Sequence, residues 1–309
     1  MSKKNNRVAG IIGVSVHKAN LNADFEGNPR SNSFGFDASH ASLKYPYREW
    51  WKTRGHKVYY LREFGKNMEY MKPKEKFEKI SNEKLKQNQK EKVAKNLLDC
   101  VDVHNFGATF AETKNNVSIR GVVQPTDGIN IYEDAEIDRT SLLNPFVNSK
   151  SDDAENTTLG SRAVLNEAHF VFGFTVMPHV YDKYIGKVDG FEGYTEENYQ
   201  LFKKASLSAV TEYQSVAKAG CKNEFALFVN FKEGSLVAVS ELHTFISYQK
   251  EDNLGIFDVT RLTQYLNKFA EDIDNVELYY DEFGCKFQGL EDLKCDLIKR
   301  SILDESELD

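Results

Sequence analysis

Asp24 lies in a polar loop, ANLNADFEGNPR (Ala19 to Arg30), that also carries Asn20, Asn22, Asn28 and Arg30. A loop carboxylate among amides and a guanidinium has the parts needed to position or activate a nucleophile for RNA cleavage. The same carboxylate suits an Asx turn or a simple surface charge. No stronger constellation accompanies it. The chain has no GxGxxG, Walker A, HExxH or GxSxG pattern. Its histidines, His17, His40, His56, His104, His169, His179 and His243, show no metal-ligand spacing, and His169 and His243 fall in strand-like runs as ordinary sheet residues. The residues alone therefore predict no catalytic residue, no metal and no cofactor.

What remains is an inventory for binding. Lys18, Arg30, Lys44, Arg48, Lys52, Arg120, Arg139 and Arg162 can meet phosphates, and Asn20, Asn22, Asn28 and Gln124 can bond riboses or bases. Phe34, Tyr45, Tyr47, Trp50 and Trp51 interleave with them, although most of these aromatics suit a core. Each cation singly suits solvated surface. The case for binding rests on their clustering near one loop and one helix.

Composition sets the bounds. The 309 residues are 40% apolar and 12% aromatic, enough for a real core. No run of about 18 apolar residues marks a membrane span, and the apolar residues after MSKKNNR are too interrupted for a signal segment. Four scattered cysteines, Cys100, Cys221, Cys285 and Cys295, without a CxxC pair, suit a reducing, cytoplasmic setting. The net charge of −7 hides a split: residues 1–95 hold 21 Lys and Arg against 10 Asp and Glu, and the remainder holds 19 against 37. A basic face on an acidic body follows, and the local field is what a polyanion meets.

The elements that must position these groups read as follows. Val8, Ile11, Ile12, Val14 and Val16 mark a first strand, and Ser31 to Ser39 reads as irregular. Residues 41–54 form a helix interrupted near Pro46 and stopped by Gly55, with Lys44, Arg48, Lys52 and Arg54 at near-helical spacing. Lys57 to Leu61 reads as a short strand and residues 72–98 as one or two amphipathic helices. Asp102 to Phe110 reads as a strand end with a Gly turn, followed by a strand over Val117 to Gln124. Ile129 to Ile137 suits a strand, Asn144 to Thr158 a mobile tip, and Ser161 to Met177 a strong strand; together they suggest a hairpin extended out of the body. Thr195 caps a helix that runs to Gly220, with Glu196 and Glu197 at its positive end. Strands over Glu224 to Phe231, Ser235 to Ser240 and Val276 to Tyr280, a helix over Thr260 to Ile273, and a fraying tail after Leu290 complete the chain. The order βαββαβ is that of an α+β, ferredoxin-like (RRM-like) domain with insertions, spanning 1–309 as a single unit.

Four segments carry a family resemblance. Ala19 to Asp24 resembles the AN-x-NGD loop of the backbone subunit of type I CRISPR interference (Cascade) complexes, a branch of the RAMP superfamily. Asp102 to Ala108 resembles that family's DVRLFGA segment, Gly121 to Gln124 its GPVQ strand, and Leu159 to Val164 with Phe170 to Pro178 its MG-x-[KR]-x-V and Y-x-F-x-G segment, which brings Ser161 into the candidate set. The segments stand in the family's order across roughly residues 8 to 180, nearest to subtype I-B and then I-C. Leu21, Ala23, His104, Asn105 and Val122 depart from the pattern.

The resemblance implies a hand: a ferredoxin-like palm, helical fingers at about 40–98 and an extended β-hairpin thumb at about 130–160. It implies a non-catalytic subunit whose copies stack head to tail along CRISPR RNA (crRNA). The large, small and end-capping subunits and the crRNA-processing endoribonuclease would accompany it, and target DNA would be met through the guide. Two other readings stand beside it. One is a backbone endoribonuclease that cuts guide-paired RNA through Asp24 or Asp134. The other is an acidic protein-interaction or regulatory module.

Overall fold

The computed structural model describes residues 2–143, 158–252 and 254–304. Strand β1 (Val8–Ala19) runs through the middle of the largest sheet. It is buried on both faces: Val8, Ile12, Val14 and Val16 join one apolar cluster, and Ala9 and Ile11 join a second. The loop after it leads to two short strands, β2 (Ser31–Asn32) and β3 (Gly35–Ala38), where composition predicts irregular chain. They form because Asp37 and Ala38 find partners in a distant strand edge, at Ile129 and Gly128.

Helix α1 (His40–Thr53) keeps Pro46 inside it without interruption. The bond lost at Pro46 is outweighed by a buried stripe, Leu43, Pro46, Tyr47, Trp50 and Trp51, at helical spacing. The Lys/Glu-rich stretch is two short helices, α2 (Pro73–Ser81) and α3 (Lys90–Leu98). A third, α4 (Val101–Phe106), replaces the predicted strand end and buries all six of its residues. Then come the hairpin β4 (Gly107–Glu112) and β5 (Asn115–Arg120), β6 (Val123–Asn130), β7 (Ile137–Leu143) and the 19-residue β8 (Thr158–Val176). Thr195 caps α5 (Glu196–Glu212) by accepting the Asn198 N–H at 3.2 Å. The chain closes with β9 (Cys221–Phe231), β10 (Ser247–Glu251), β11 (Leu254–Asp258), α6 (Thr260–Leu266), β12 (Ile273–Tyr280), β13 (Cys285–Gln288) and β14 (Asp296–Ser301).

Among the described residues the main sheet has nine strands in the order β14-β12-β9-β1-β8-β6-β3-β2, with β7 on β8. Strand β1 is antiparallel to both β8 and β9, and β6 is antiparallel to β8. With α1 between β1 and β6 in sequence and α5 between β8 and β9, the central strands follow the crossing order of a βαββαβ unit. The parallel pair β12 and β14 makes the sheet mixed. One face packs on α1 and α5; the other packs on α6 and the small sheet β10-β11-β13. The fold is thus α+β around one large mixed sheet.

β8 is long enough to serve two neighbours on one edge. Its second half pairs with β6, and its first half pairs with β7 from Ile137↔Leu165 to Leu143↔Thr158. β7 and β8 are thus paired antiparallel up to that point. The tip predicted at 144–158 falls, up to residue 157, outside the described residues.

Other expectations give way to tertiary partners. Lys57 to Leu61 is not a strand: the Tyr59 and Tyr60 N–H groups both donate to the Asp102 carboxylate at 2.8 Å. α5 stops at Glu212 rather than Gly220, because the loop beyond it turns back and Ala217 O accepts the Asn20 N–H at 2.7 Å. Ser235 to Ser240 forms no strand; Leu236 O and Val237 O accept the Arg7 guanidinium instead. His243 sits in a 3-10 turn, Leu242–Phe245, not in a strand. The helix predicted to Ile273 ends at Leu266 and tightens into a 3-10 turn, Asn267–Phe269. The tail does not fray through residue 301, because β14 is drawn in beside β12.

Candidate nucleic-acid interface

The end of β1, the loop after it and the β7–β8 hairpin meet at one place. Lys18 takes a left-handed backbone, φ 50°, and its exposed ammonium pairs with Asp138 on β7. Asn20 is buried; its Nδ2 reaches Gly27 O at 3.4 Å and its Oδ1 has no partner among the described residues. Arg162 on β8 donates from Nη2 to Val216 O at 2.8 Å and Lys18 O at 3.4 Å, so it staples the α5–β9 loop to β1. Arg139 on β7 is exposed and donates to the Asn28 Oδ1 at 2.8 Å.

The loop itself is built on its carboxylate. Asp24 Oδ1 accepts the N–H groups of Glu26 at 2.8 Å and Asn28 at 2.9 Å. A slight desolvation works against the charge, but these backbone bonds outweigh it and hold Asp24 below the usual carboxylate range. Asn22 ties the loop's base, its Oδ1 accepting both the N–H and the hydroxyl of Ser39 at 2.7 Å. Arg30 pairs with Asp37 at 3.0 Å and Asp127 at 3.5 Å, and Asp127 also accepts the backbone N–H of His40 at 2.8 Å.

The same band continues along α1, where His40, Lys44, Arg48 and Lys52 are spaced four apart. Lys44 lies 4.9 Å from the Phe106 ring centroid, and burial, aided by the neighbouring Arg48 charge, lowers its ammonium to about 8. Arg48 is turned inward: its Nε meets the fully buried Asp102 at 3.3 Å, and its guanidinium lies 5.5 Å from the Tyr60 centroid. Lys52 pairs with Glu63 at 2.9 Å.

Of the remaining candidates, Arg120 is exposed with no side-chain partner among the described residues. Gln124 donates to Gly121 O at 2.9 Å, and Ser161 is exposed opposite Ser141. The structure thus brings Lys18, Asn20, Asn28, Arg30, Arg139 and Arg162 together, with Lys44 beside them through Asp127. Arg48 and Lys52 are engaged with carboxylates, and Arg120, Gln124 and Ser161 make no side-chain contact with this group among the described residues. Sequence reasoning missed the pairing partners Asp127 and Asp138, and His40, whose position one turn before Lys44 was the available signal. Phe25, at the tip of the loop, is fully exposed, as is Phe34. Tyr47, Trp50 and Trp51 are core.

No cluster of three or more His, Cys, Asp or Glu that could hold a metal occurs among the described residues, and none of their helices is long and apolar enough to cross a membrane.

No curated protein matches the sequence. Two solved chains share the fold. One, from a "CRISPR RNA-guided surveillance complex", has a TM-score of 0.50 and 14% identity over 96% of this chain and 98% of its own. Another, from a "CRISPR RNA-guided surveillance complex, pre-nicking", has a TM-score of 0.52 and 14% identity over 98% and 99%. The family model for CRISPR-associated protein Cas7 matches residues 6–269, a range that holds all thirteen candidate interface residues, and the chain belongs to that family.

Proposed function

We propose that this chain is a backbone subunit of a type I CRISPR RNA-guided surveillance complex, without catalytic activity of its own, in the I-B branch with I-C next. The observation that carries the reading is the family match over residues 6–269. In this reading β9, β1, β8 and β6 are the palm, α1 to α3 the fingers and the β7–β8 hairpin the thumb. The band from Arg162 and Lys18 through Arg139 and Arg30 to Lys44 takes the phosphates of crRNA, and the neighbouring amides take its riboses. Such contacts are indifferent to sequence, so base pairing is left to read target DNA. Copies stack head to tail along the guide, and the other Cascade subunits close the ends and flank.

Asp24 supports the non-catalytic reading. Its Oδ1 accepts two backbone N–H groups, and these bonds lower the carboxyl from its ordinary value and so make it a weaker base.

The test is the nucleic acid carried by the protein when it is expressed with its neighbouring genes and a repeat array. Extraction, RNase and DNase digestion and sequencing are expected to give discrete RNAs with repeat-derived ends. Random or absent nucleic acid overturns the reading and favours an acidic protein-interaction module.

A further inference from the structure

The chain between α1 and α2 builds a small arm with no core behind it. Gly65 N–H donates to Glu69 O at 2.7 Å and Met71 N–H to Glu63 O at 2.9 Å, and Phe64 and Tyr70 bridge across the arm. The turn is made by Asn67 and Met68, both left-handed at φ 57° and 60°. On this arm the Phe64 and Tyr70 rings lie stacked, centroids 4.8 Å apart and 14° from parallel. They remain 50% and 58% exposed, and Met68 at the tip is 72% exposed. The Arg62 guanidinium lies 5.5 Å from the Tyr70 centroid. Beside the arm, Tyr59, Tyr60, Leu61, Met71 and Pro73 line an open groove of about 290 Å³.

Cations outnumber carboxylates at the base of this apolar surface. Lys52, Lys76 and Lys79 converge on the single carboxylate of Glu63 at 2.9, 2.6 and 2.7 Å, which leaves the arm's base positive. Tyr60 joins this groove to α1, with the inward-turned Arg48, paired to Asp102, over its ring. A protein-docking face concentrates apolar contact and thins out charge at its centre. Here two stacked, half-exposed rings stand beside the Arg62 guanidinium and a lysine-rich base, the combination by which proteins hold unpaired bases while tracking a phosphate backbone.

We propose that the Glu63–Met71 arm is a stacking platform for unpaired nucleobases of a single strand, RNA or DNA, that passes along α1. The proposal draws on the RNA-binding reading for the α1 cations; the rings themselves are independent of it. Stacking on Phe64 and Tyr70 is sequence-tolerant, because every base has a π-face.

The test uses the full chain and fluorescent oligo(rU) and oligo(dT) probes. In the double variant Phe64→Leu with Tyr70→Leu, which keeps apolar bulk and removes the rings, affinity is expected to fall about tenfold for one or both probes. A loss on one probe assigns the strand's chemistry. Phe64→Trp keeps the aromatic pair and adds a reporter, since Trp50 and Trp51 are buried; its fluorescence is expected to quench when the probe that the leucine variant loses binds. Unchanged affinity in the leucine variant, or binding of that probe to the tryptophan variant without quenching, overturns the proposal. So does a leucine variant that keeps probe affinity and instead loses self-association in light scattering. Wild-type protein that binds neither probe also overturns it, while the RNA recovered from co-expressed protein decides the guide-binding reading separately.

Discussion

Arg139 on the β7–β8 hairpin donates to the side-chain oxygen of Asn28 at 2.8 Å, across 111 residues of sequence. The partner is neutral, so the guanidinium keeps its full charge for a phosphate while its position is fixed to the loop that Asp24 builds. Arg139→Ala is therefore expected to weaken RNA binding for every sequence alike and to reduce the slope of log affinity against log salt by about one. Anisotropy titrations at several salt concentrations check this. An unchanged slope would place Arg139 outside the interface.

Arg48 should behave in the opposite way. Its charge faces Asp102, which is fully buried and also accepts the Tyr59 and Tyr60 N–H groups. Arg48→Ala leaves that carboxylate with two backbone bonds and no counter-charge. It is expected to cost about 2–3 kcal/mol of stability, measured by urea denaturation. Loss of RNA affinity without loss of stability would show that Arg48 turns outward to RNA.

The strands and helices with a strong period were legible: β1, β8, β9, α1 and α5 all stand where alternation or the 3.6-residue stripe puts them. The failures have a common cause. Tyr59 and Tyr60 have strand-forming side chains, but their N–H groups are taken by Asp102, 43 and 42 residues away. Leu297 and Ile298 sit in a charged tail, yet Val276 and Glu277 offer them a parallel edge. Side-chain type marked the cations of the interface. Whether each cation is free for phosphate depends on partners such as Asp102, Glu63 and Asp127, which sequence spacing does not connect.

Lys44 is expected to give the proposed interface a pH dependence. Burial lowers it from the ordinary 10.5 to about 8, so the folded state releases its proton before the unfolded state does. Between those values the unfolded chain binds more protons, and this group's contribution makes stability rise with pH. RNA binding runs the other way: the ammonium is present below about 8 and is lost above it. Affinity is expected to fall between pH 7 and 9 in the wild type and to stay level in Lys44→Arg. A level wild-type profile would remove Lys44 from the contact set.

Asp24→Asn tests the loop carboxylate directly. Its two backbone bonds can be kept by the amide oxygen, so the fold is expected to survive with a slightly lower melting temperature. RNA complementary to the guide is expected to remain intact with either protein, with or without divalent metal. Regular cuts by the wild type that vanish in Asp24→Asn would establish a nuclease in place of a passive backbone.

Gly107 and Gly121, from two separate segments of the chain, meet backbone to backbone. Gly107 has φ +79°, and a Cβ placed there would lie 2.3 Å from Ile119 O and 2.4 Å from Gly121 N. At Gly121 an added Cβ would lie 2.2 Å from the Phe106 carbonyl carbon. The two backbones thus touch where α4 passes into β4 and β5 passes into β6. All three atoms met are main chain, so no side chain can move aside. Gly107→Ala is expected to cost about 2 kcal/mol or more, combining a left-handed backbone with a steric overlap. A thermal melt checks it, and Gly186→Ala is the control: that residue also has positive φ, 73°, but an added Cβ meets nothing within 4 Å. The difference between the two variants reads the cost of the crossing, the Gly107 conformation (φ 79°, ψ −179°) and the overlap together. Equal melting temperatures would mean that this crossing opens in solution.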